Sequence, residues 1–226
     1  MIAFPEVQRR AQAELDTVIG RDHLPTFADV PHLPYVCAVV KEVLRWRPAV
    51  PIGVPHATIE DDWYEGMFIP KGTVVIPNAW HCNHDRAVFG DDADEFRPER
   101  HLGQQGEPLS GPAETNQAGH VTFGFGRRIC VGKELADDSL FINTARMLWE
   151  ANFKRVRDEN REVPLDVDTM IDDGLVTWVF VHQRPCHLPV ADFLACSRCA
   201  PYDCVITPRF PEAMSILAEE RACFEN

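Results

Sequence analysis

The chain has 226 residues, 45% of them apolar, so it is long and apolar enough to bury a core in one large domain or two small ones. Its formal net charge of −13 and the absence of a basic stripe argue against nucleic-acid binding. No apolar run approaches the roughly 18 residues of a membrane span. Eight scattered cysteines without a secretory leader do not indicate a disulfide framework.

The first part of the chain predicts two helices followed by short strands. Residues 5–19 carry apolar side chains at helical spacing, and Gly20 follows as a helix stop. A second helix is expected over about residues 33–46, where the apolar side chains form one stripe and Pro48 ends the pattern. Short runs of strand type come next, at residues 52–59, 67–69 and 73–76.

The second part begins with a long irregular region. Neither helical nor strand periodicity is sustained over residues 88–129, and a stretch of that length inside a compact domain indicates a functional segment. A helix is predicted over residues 131–152, with apolar side chains on more than one side, so we expect it in the interior. The end of the chain is predicted to form short strands.

A glycine-rich segment, FGFGRRICVG at residues 123–132, carries the strongest chemical signal in the chain. Glycine adopts positive φ and lets the backbone approach a flat ligand closely. A thiolate exposed at the mouth of such a loop is a good axial ligand for haem iron. Because the helical pattern begins just after Val131, Cys130 lies near a helix N-terminus, where backbone N–H groups favour an anionic sulfur. The alternative interpretation is a buried structural cysteine in a glycine-rich turn.

The segment resembles the haem loop of the cytochrome P450 family, F-x-x-G-x-R-x-C-x-G, and matches it at Phe123, Gly126, Arg128, Cys130 and Gly132. The resemblance implies a haem b cofactor whose iron takes the Cys130 thiolate as its axial ligand. It also implies that Phe123 shields the sulfur and that Arg128 grips a haem propionate through charge-assisted hydrogen bonds. Electron donation from the thiolate would favour cleavage of the O–O bond.

Two further segments resemble motifs of the same family, in the family's order. KEVLRWRP contains E-x-x-R, which places Glu42 and Arg45 on one helical face. FRPER, at residues 96–100, matches the family's P-E-R motif. The resemblance implies a buried charge network of Glu42, Arg45 and Arg100 that fixes the cysteine loop against the core. Three unconnected surface charges are the alternative, because E-x-x-R alone occurs on many solvated helices.

The segment between these motifs looks like the family's sheet region. His56 stands where the family has a His or Arg facing a haem propionate. By the same resemblance, residues 50–54 and the turn at residues 173–175 would meet substrate. Four other histidines show no recurring metal-ligand spacing, so we interpret them as ordinary loop and sheet histidines: His81, His84, His101 and His120.

The resemblance implies a mainly α-helical fold with small β-sheets, corresponding to the C-terminal part of the P450 fold and truncated at the N-terminus. The implied activity is that of a haem-thiolate monooxygenase, which inserts one oxygen atom from O2 into a small apolar organic substrate. Electrons would come from an NADPH-cytochrome P450 reductase. Residues 53–62 and 69–80 resemble fungal microsomal members, which serve secondary metabolism or xenobiotic oxidation. The full-length parent would sit on the endoplasmic reticulum membrane through an anchor that this chain lacks.

The resemblance covers residues 2–177 and resumes near Pro201, so residues 1–226 would form one partial domain. We interpret residues 178–200 as an atypical insertion, for which translated non-coding sequence is one explanation. Neither the long helix that handles protons during O2 activation nor most of the pocket above the haem is matched. A second hypothesis is therefore a truncated product that binds haem but does not turn over.

The insertion supplies a third hypothesis, from a different functional class. It contains a Cys-x-x-Cys pair, a spacing that binds zinc. The second pair of candidate ligands lacks the usual tight spacing. A zinc-stapled binding module around residues 182–204 would draw its ligands from His182, Cys186, His187, Cys196, Cys199 and Cys204.

Overall fold

A computed structural model describes residues 1–158, 161–162 and 204–224. Within these ranges the fold is mainly helical with small two-stranded antiparallel sheets, as the sequence predicts. The proposed insertion at residues 178–200 and the turn at residues 173–175 lie outside the described residues. All candidate zinc ligands except Cys204 do so as well.

The first two helices are those that the periodicity predicts. Helix α1 spans Pro5–Val18 and helix α2 spans Pro34–Trp46. Each has a proline in its first turn, where a backbone N–H would have no partner within the helix, so the missing N–H costs nothing. Gly20 closes α1 with φ +75°, and its N–H donates to the carbonyl of Leu15 at 3.1 Å. A 3₁₀ turn, Phe27–His32, connects the two helices.

Two short hairpin-like sheets follow α2. Strand β1 (His56–Ala57) pairs with β4 (Val74–Val75), and β2 (Asp62–Tyr64) pairs with β3 (Met67–Ile69). The strand predicted over residues 52–59 is therefore much shorter, because Pro55 and Gly53, at φ +60°, interrupt it. Strand β2 was not predicted, since its acidic flank has low strand propensity.

The region after the sheets is largely irregular, which confirms the predicted lack of periodicity. Two short helices open it, α3 (Ala79–Asn83) and α4 (Arg86–Phe89), capped by the side chains of Asn78 and Asp85. Beyond them, 3₁₀ turns occur at Pro98–His101, Ala113–Thr115 and Gly126–Arg128. Because this region has few helical or sheet hydrogen bonds, its backbone carbonyl groups need side-chain donors as hydrogen-bond partners.

The last long helix and the chain end differ from the prediction in two respects. Helix α5 spans Lys133–Glu150, but it buries one face only: Leu135 is 73% exposed, whereas Ala145 and Trp149 are fully buried. The expectation of an all-round interior helix is wrong, because α5 packs against α1 and α2 on one side. Near its end the chain forms a strand and then an unpredicted helix, α6 (Ala213–Phe224), whose Ala, Leu and Glu residues favour helix.

Strand pairing joins the chain end to the region after α5. Strand β5 (Ala151–Arg155) pairs with β8 (Cys204–Pro208), and β6 (Arg157–Asp158) pairs with β7 (Arg161–Glu162). The segment around Cys204 is thus a strand, as predicted. The two residues after β8, Arg209 and Phe210, also contact the helices. Arg209 Nη2 donates to Asp16 Oδ2 at 2.6 Å, and Phe210 packs edge-on against Trp149.

One hydrophobic core lies between α1, α2 and α5. Trp149 is its largest fully buried side chain, and the indole Nε1 donates to the carbonyl of Gly20 at 2.8 Å. The indole therefore joins α5 to the end of α1 as well as filling volume. Other core members are Ala11, Leu15, Leu33, Val36, Val39, Phe141, Ala145 and Leu148.

We expect Trp149→Ala to lower the free energy of unfolding by about 3–5 kcal/mol, because it leaves a large cavity and removes the hydrogen bond to the partly buried Gly20 carbonyl. Urea denaturation followed by circular dichroism measures the change. Leu135→Ala on the same helix is the control and should change stability by less than about 0.5 kcal/mol, since that side chain is 73% exposed. Equal effects of the two substitutions would contradict the assigned burial.

Candidate functional site

The side chains of Glu42 and Arg45 lie on one face of α2 and are both 0% exposed. Arg45 Nη2 and Nε donate to Glu42 Oε1 and Oε2 at 2.8 and 2.9 Å, a bidentate ion pair. The other three N–H groups of Arg45 donate to the carbonyl oxygens of Asn83, Ala93 and Glu95 at 2.7, 2.7 and 2.9 Å. Every donor of this guanidinium is used, and α2 is tied to the irregular region after α3.

The same carboxylate accepts three more hydrogen bonds from residues 97–101. Arg97 N and Arg100 Nε donate to Glu42 Oε1 at 2.9 and 3.0 Å. His101 Nε2 lies 2.9 Å from Oε2 and must carry the proton, because an ionised carboxylate only accepts. Arg100 is 6% exposed at its side chain, and its Nη atoms donate to the carbonyls of Phe89, Asp92 and Glu95 and to the Asp92 carboxylate.

The structure thus brings Glu42, Arg45 and Arg100 into one buried cluster, which we call the Glu42 network together with His101. Burial raises the pKa of Glu42, but hydrogen bonds from Arg45, His101 and the Arg97 backbone outweigh it and lower the pKa to about 2. Burial lowers the pKa of His101, opposed by its contact with Glu42. The cluster is therefore held with the carboxylate ionised at neutral pH.

Asn83 connects the Glu42 network to the cysteine-containing loop. Its carbonyl accepts from Arg45, and its buried side chain reaches the opposite way, where Oδ1 accepts from the Val121 N–H at 2.8 Å. Asn83 Nδ2 also donates to Thr122 Oγ1 at 3.2 Å, and that hydroxyl donates to the Leu44 carbonyl at 2.7 Å. The residues immediately before Phe123 are consequently fixed to both α2 and α3.

The loop itself, residues 123–132, is a narrow turn ahead of α5. The Cys130 N–H donates to the Phe123 carbonyl at 2.9 Å, which closes the loop, and the Lys133 N–H donates to the Cys130 carbonyl at 3.2 Å. Gly124 and Gly126 adopt φ +71° and +57°, backbone conformations that a side chain would strain. These two glycines therefore permit the turn that presents residues 127–131.

The loop presents a thiol within an apolar surface. Cys130 is exposed, and so are the hydrophobic side chains of Phe125, Ile129 and Val131 around it in sequence. Exposed apolar groups grouped on one loop are typical of a binding surface. Phe123, by contrast, is half-buried and contacts His120 edge-on, with ring centroids 5.6 Å apart.

The structure places the remaining candidate residues separately. Arg128 is exposed within the loop, and His56 is half-buried in β1, paired in register with Val75. In the part of the chain that the structure describes, no hydrogen bond or ion pair joins His56, Arg128 and Cys130. Gly132 lies at the start of α5, where an added Cβ would sit 3.8 Å from Cys130 Sγ.

Sequence reasoning missed two members of this arrangement, His101 and Asn83. His101 directly follows the P-E-R segment and contacts Glu42, so it is not an ordinary loop histidine. Its adjacency to Arg100 on a short turn was the available signal. Asn83 had no signal of its own, because only the folded chain places it between Arg45 and Val121.

The other histidines occupy different settings. His81 is exposed on α3, and His84 stacks on Trp80 with its Nδ1 2.8 Å from the Trp80 carbonyl. His120 is buried ahead of the loop. Among the described residues, no group of three or more His, Cys, Asp or Glu side chains is arranged to hold a metal ion. Nor is any helix in these ranges both long and apolar enough to cross a bilayer.

Comparisons with known proteins agree with one another. The family model for Cytochrome P450 matches residues 1–172. Two cytochrome P450 monooxygenases of Armillaria gallica are 52% and 48% identical over 222 residues, covering 98% of this chain and 39% of each relative. Cytochrome P450 monooxygenase 58 of Postia placenta is 48% identical over 220 residues, covering 96% of this chain and 38% of that protein. The chain spans about two fifths of the length of these curated relatives.

We expect Glu42→Gln to lower the free energy of unfolding by about 3–5 kcal/mol at pH 7, because it leaves the buried guanidinium groups without their counter-charge. The pKa of Glu42 is lowered from 4.5 to about 2, so its stabilising effect is complete above pH 4.5 and is lost as the pH falls towards 2. The stability difference between wild type and variant should therefore narrow over that range. Urea denaturation at a series of pH values measures it.

The chain offers a matched control in Glu6, which forms an ion pair with Arg9 at the same i, i+3 spacing but with side chains 74% and 73% exposed. Glu6→Gln should leave stability unchanged within error, since exposed ion pairs contribute little. A Glu42→Gln variant as stable as Glu6→Gln at pH 7 would contradict the importance of the buried network.

Proposed function

Because the chain belongs to the cytochrome P450 family, we propose that it binds haem b through the Cys130 thiolate and forms the C-terminal part of a haem-thiolate monooxygenase. The observation that supports this best is the exposed thiol of Cys130, set among exposed apolar side chains on a loop anchored to the core. The parent protein would insert one oxygen atom from O2 into a small apolar organic substrate.

The residues present fit a haem group. A soft thiolate ligand suits iron, and the porphyrin is a flat apolar ring that would cover Phe125, Ile129 and Val131. Gly126 has no neighbouring atom within 4 Å of an added Cβ, so the backbone there is open to close approach. The Arg128 guanidinium is exposed on the same loop and would grip a propionate through charge-assisted hydrogen bonds. His56 is the proposed second propionate partner.

Bound haem would supply the iron at which O2 is activated, with a thiolate ligand that favours O–O cleavage. The chain's own residues orient and protect that ligand. The hydrogen bond from the Cys130 N–H to the Phe123 carbonyl closes the loop and would set the direction of the cysteine, and the Phe123 ring would shield the sulfur. Gly132 leaves the space beside Sγ free of a side chain.

The Glu42 network acts as a positioning element for this loop. It touches neither the thiol nor the apolar loop surface, but it holds Asn83, which in turn holds Val121 and Thr122. Small displacements of a ligand-bearing loop weaken binding, so a rigid base contributes to cofactor affinity. We propose that fixing the loop against the core is the network's function.

Substrate, partners and location are proposals drawn from the family. Residues 50–54 form the turn between α2 and β1, held by the Trp80 N–H on the Pro51 carbonyl at 2.7 Å, and Val54 is 52% exposed there. This turn would contact substrate.

Electrons would come from an NADPH-cytochrome P450 reductase. The parent would sit on the endoplasmic reticulum membrane and serve fungal secondary metabolism or xenobiotic oxidation. A product that binds haem without turnover is the alternative that the same site supports.

We expect the haem-loaded chain, reduced and exposed to carbon monoxide, to give the red-shifted Soret band of thiolate-ligated iron. Cys130→Ala should abolish that band, because it removes the only thiolate on the loop. Cys82→Ala is the control, since Cys82 is also free and exposed but lies on α3. Absorption spectroscopy checks both. An unchanged spectrum in Cys130→Ala, or no haem uptake by the wild-type chain, would contradict the proposal.

We also expect Arg128→Met to weaken haem binding roughly tenfold or more, because a charge-assisted hydrogen bond to a propionate is lost. Arg127→Met provides the comparison, as the neighbouring exposed arginine is not assigned to a propionate. Titration of the apoprotein with haemin, followed at the Soret band, gives the affinities. Equal affinities for the two variants would remove Arg128 from the site.

A further inference from the structure

A second concave site lies beside the loop but away from its exposed apolar surface. It is a cavity of about 320 Å³ between α2, the start of α5, the 3₁₀ turn at Phe27–His32 and residues 118–120. Its apolar wall consists of Val30, Val40, Leu44, Ala118 and Phe141. The volume lies at the small end of the range for small-molecule sites, so it suits a ligand of a single ring.

His120 supplies a hydrogen-bond donor in the wall of this cavity, which we call the His120 cavity. The residue is 6% exposed, and its Nδ1 accepts a hydrogen bond from the Thr122 N–H at 3.3 Å. The neutral ring therefore carries its proton on Nε2, and that N–H has no partner among the described residues. Burial lowers the pKa of His120 to about 4, so the ring is neutral at pH 7. A donor on a largely buried ring that lines a cavity and has no protein acceptor is available to a ligand.

The charged groups of the wall favour an acceptor as that ligand. Lys41 lines the cavity and makes no ion pair with any described residue. Lys133 is engaged instead, since its Nζ donates to Asp137 Oδ2 at 2.8 Å and to Glu134 Oε1 at 3.3 Å. Asp138 also lines the cavity but is exposed to solvent. The wall groups that are at least half-buried and have no protein partner are therefore donors: His120 Nε2 and the cationic, half-buried Lys41.

We propose that the His120 cavity binds a small organic carboxylate, whose oxygen atoms accept from His120 Nε2 and Lys41 Nζ and whose apolar part packs against Val40, Leu44 and Phe141. The site needs no haem, and it is formed wholly by described residues of this chain. Because Val121 and Thr122 directly follow His120 and are held by Asn83, an occupant would contact the segment that leads into the cysteine loop.

Calorimetric titration of the full 226-residue chain, free of haem, with benzoate tests the site. We expect saturable binding of one benzoate per chain, at least tenfold weaker binding of benzyl alcohol, and at least tenfold weaker benzoate binding by Lys41→Gln. Lys71→Gln is the matched control, because Lys71 lies in the exposed turn between β3 and β4. It should bind benzoate as the wild type does. Ala118→Phe should abolish binding by filling the cavity.

Lack of saturable benzoate binding by the wild-type chain would overturn the proposal. So would binding that is indifferent to Lys41→Gln, or binding of benzyl alcohol or benzylamine as tight as that of benzoate. Thermal melts of each variant establish that it folds. If Ala118→Phe lowers the melting temperature, the benzoate affinity of Lys41→Gln alone is used to test the site. Haem uptake is measured separately, so either result leaves the test of the haem site intact.

Discussion

The central constraint in this structure is the set of ion pairs and hydrogen bonds made by the Glu42 carboxylate. Five N–H groups converge on its two oxygens, from Arg45, Arg97, Arg100 and His101, in a place that water does not reach. A buried ion network of this kind adds little net stability compared with apolar packing, but loss of one member leaves a charge without compensation. The arrangement is therefore better understood as a device for positioning than as a source of stability.

What it positions is the irregular region between α3 and the cysteine loop. That region has few backbone ladders, so its carbonyl groups need other donors. Arg45 and Arg100 supply them through six hydrogen bonds to backbone carbonyl oxygens, those of Asn83, Phe89, Asp92, Ala93 and Glu95. Two guanidinium groups thus supply the N–H donors that a neighbouring strand would supply to the carbonyl groups of a β-strand.

Through Asn83 this order reaches the segment that leads into the loop of Cys130. The loop has a fixed base and an exposed tip, and the two sides differ in chemistry. At the tip a thiol stands among hydrophobic side chains, which suits a flat apolar cofactor. Beside the base, a small cavity is lined by an imidazole N–H and an ammonium group, the two donors of the proposed carboxylate site. One segment of backbone therefore borders the two proposed sites, one for an apolar cofactor and one for an anion.

Helices α1, α2 and α5, the glycine-rich loop and the candidates Glu42, Arg45 and Arg100 could be predicted from the amino-acid sequence alone, because helical periodicity, proline and glycine positions and short motifs are local properties. The sequence did not reveal that α5 buries only one face, that α6 follows the last strand, or that His101 and Asn83 complete the network. Those features depend on which segments meet in space. Asn83 and Val121 are 38 residues apart, and only tertiary packing brings a side-chain amide to that backbone N–H.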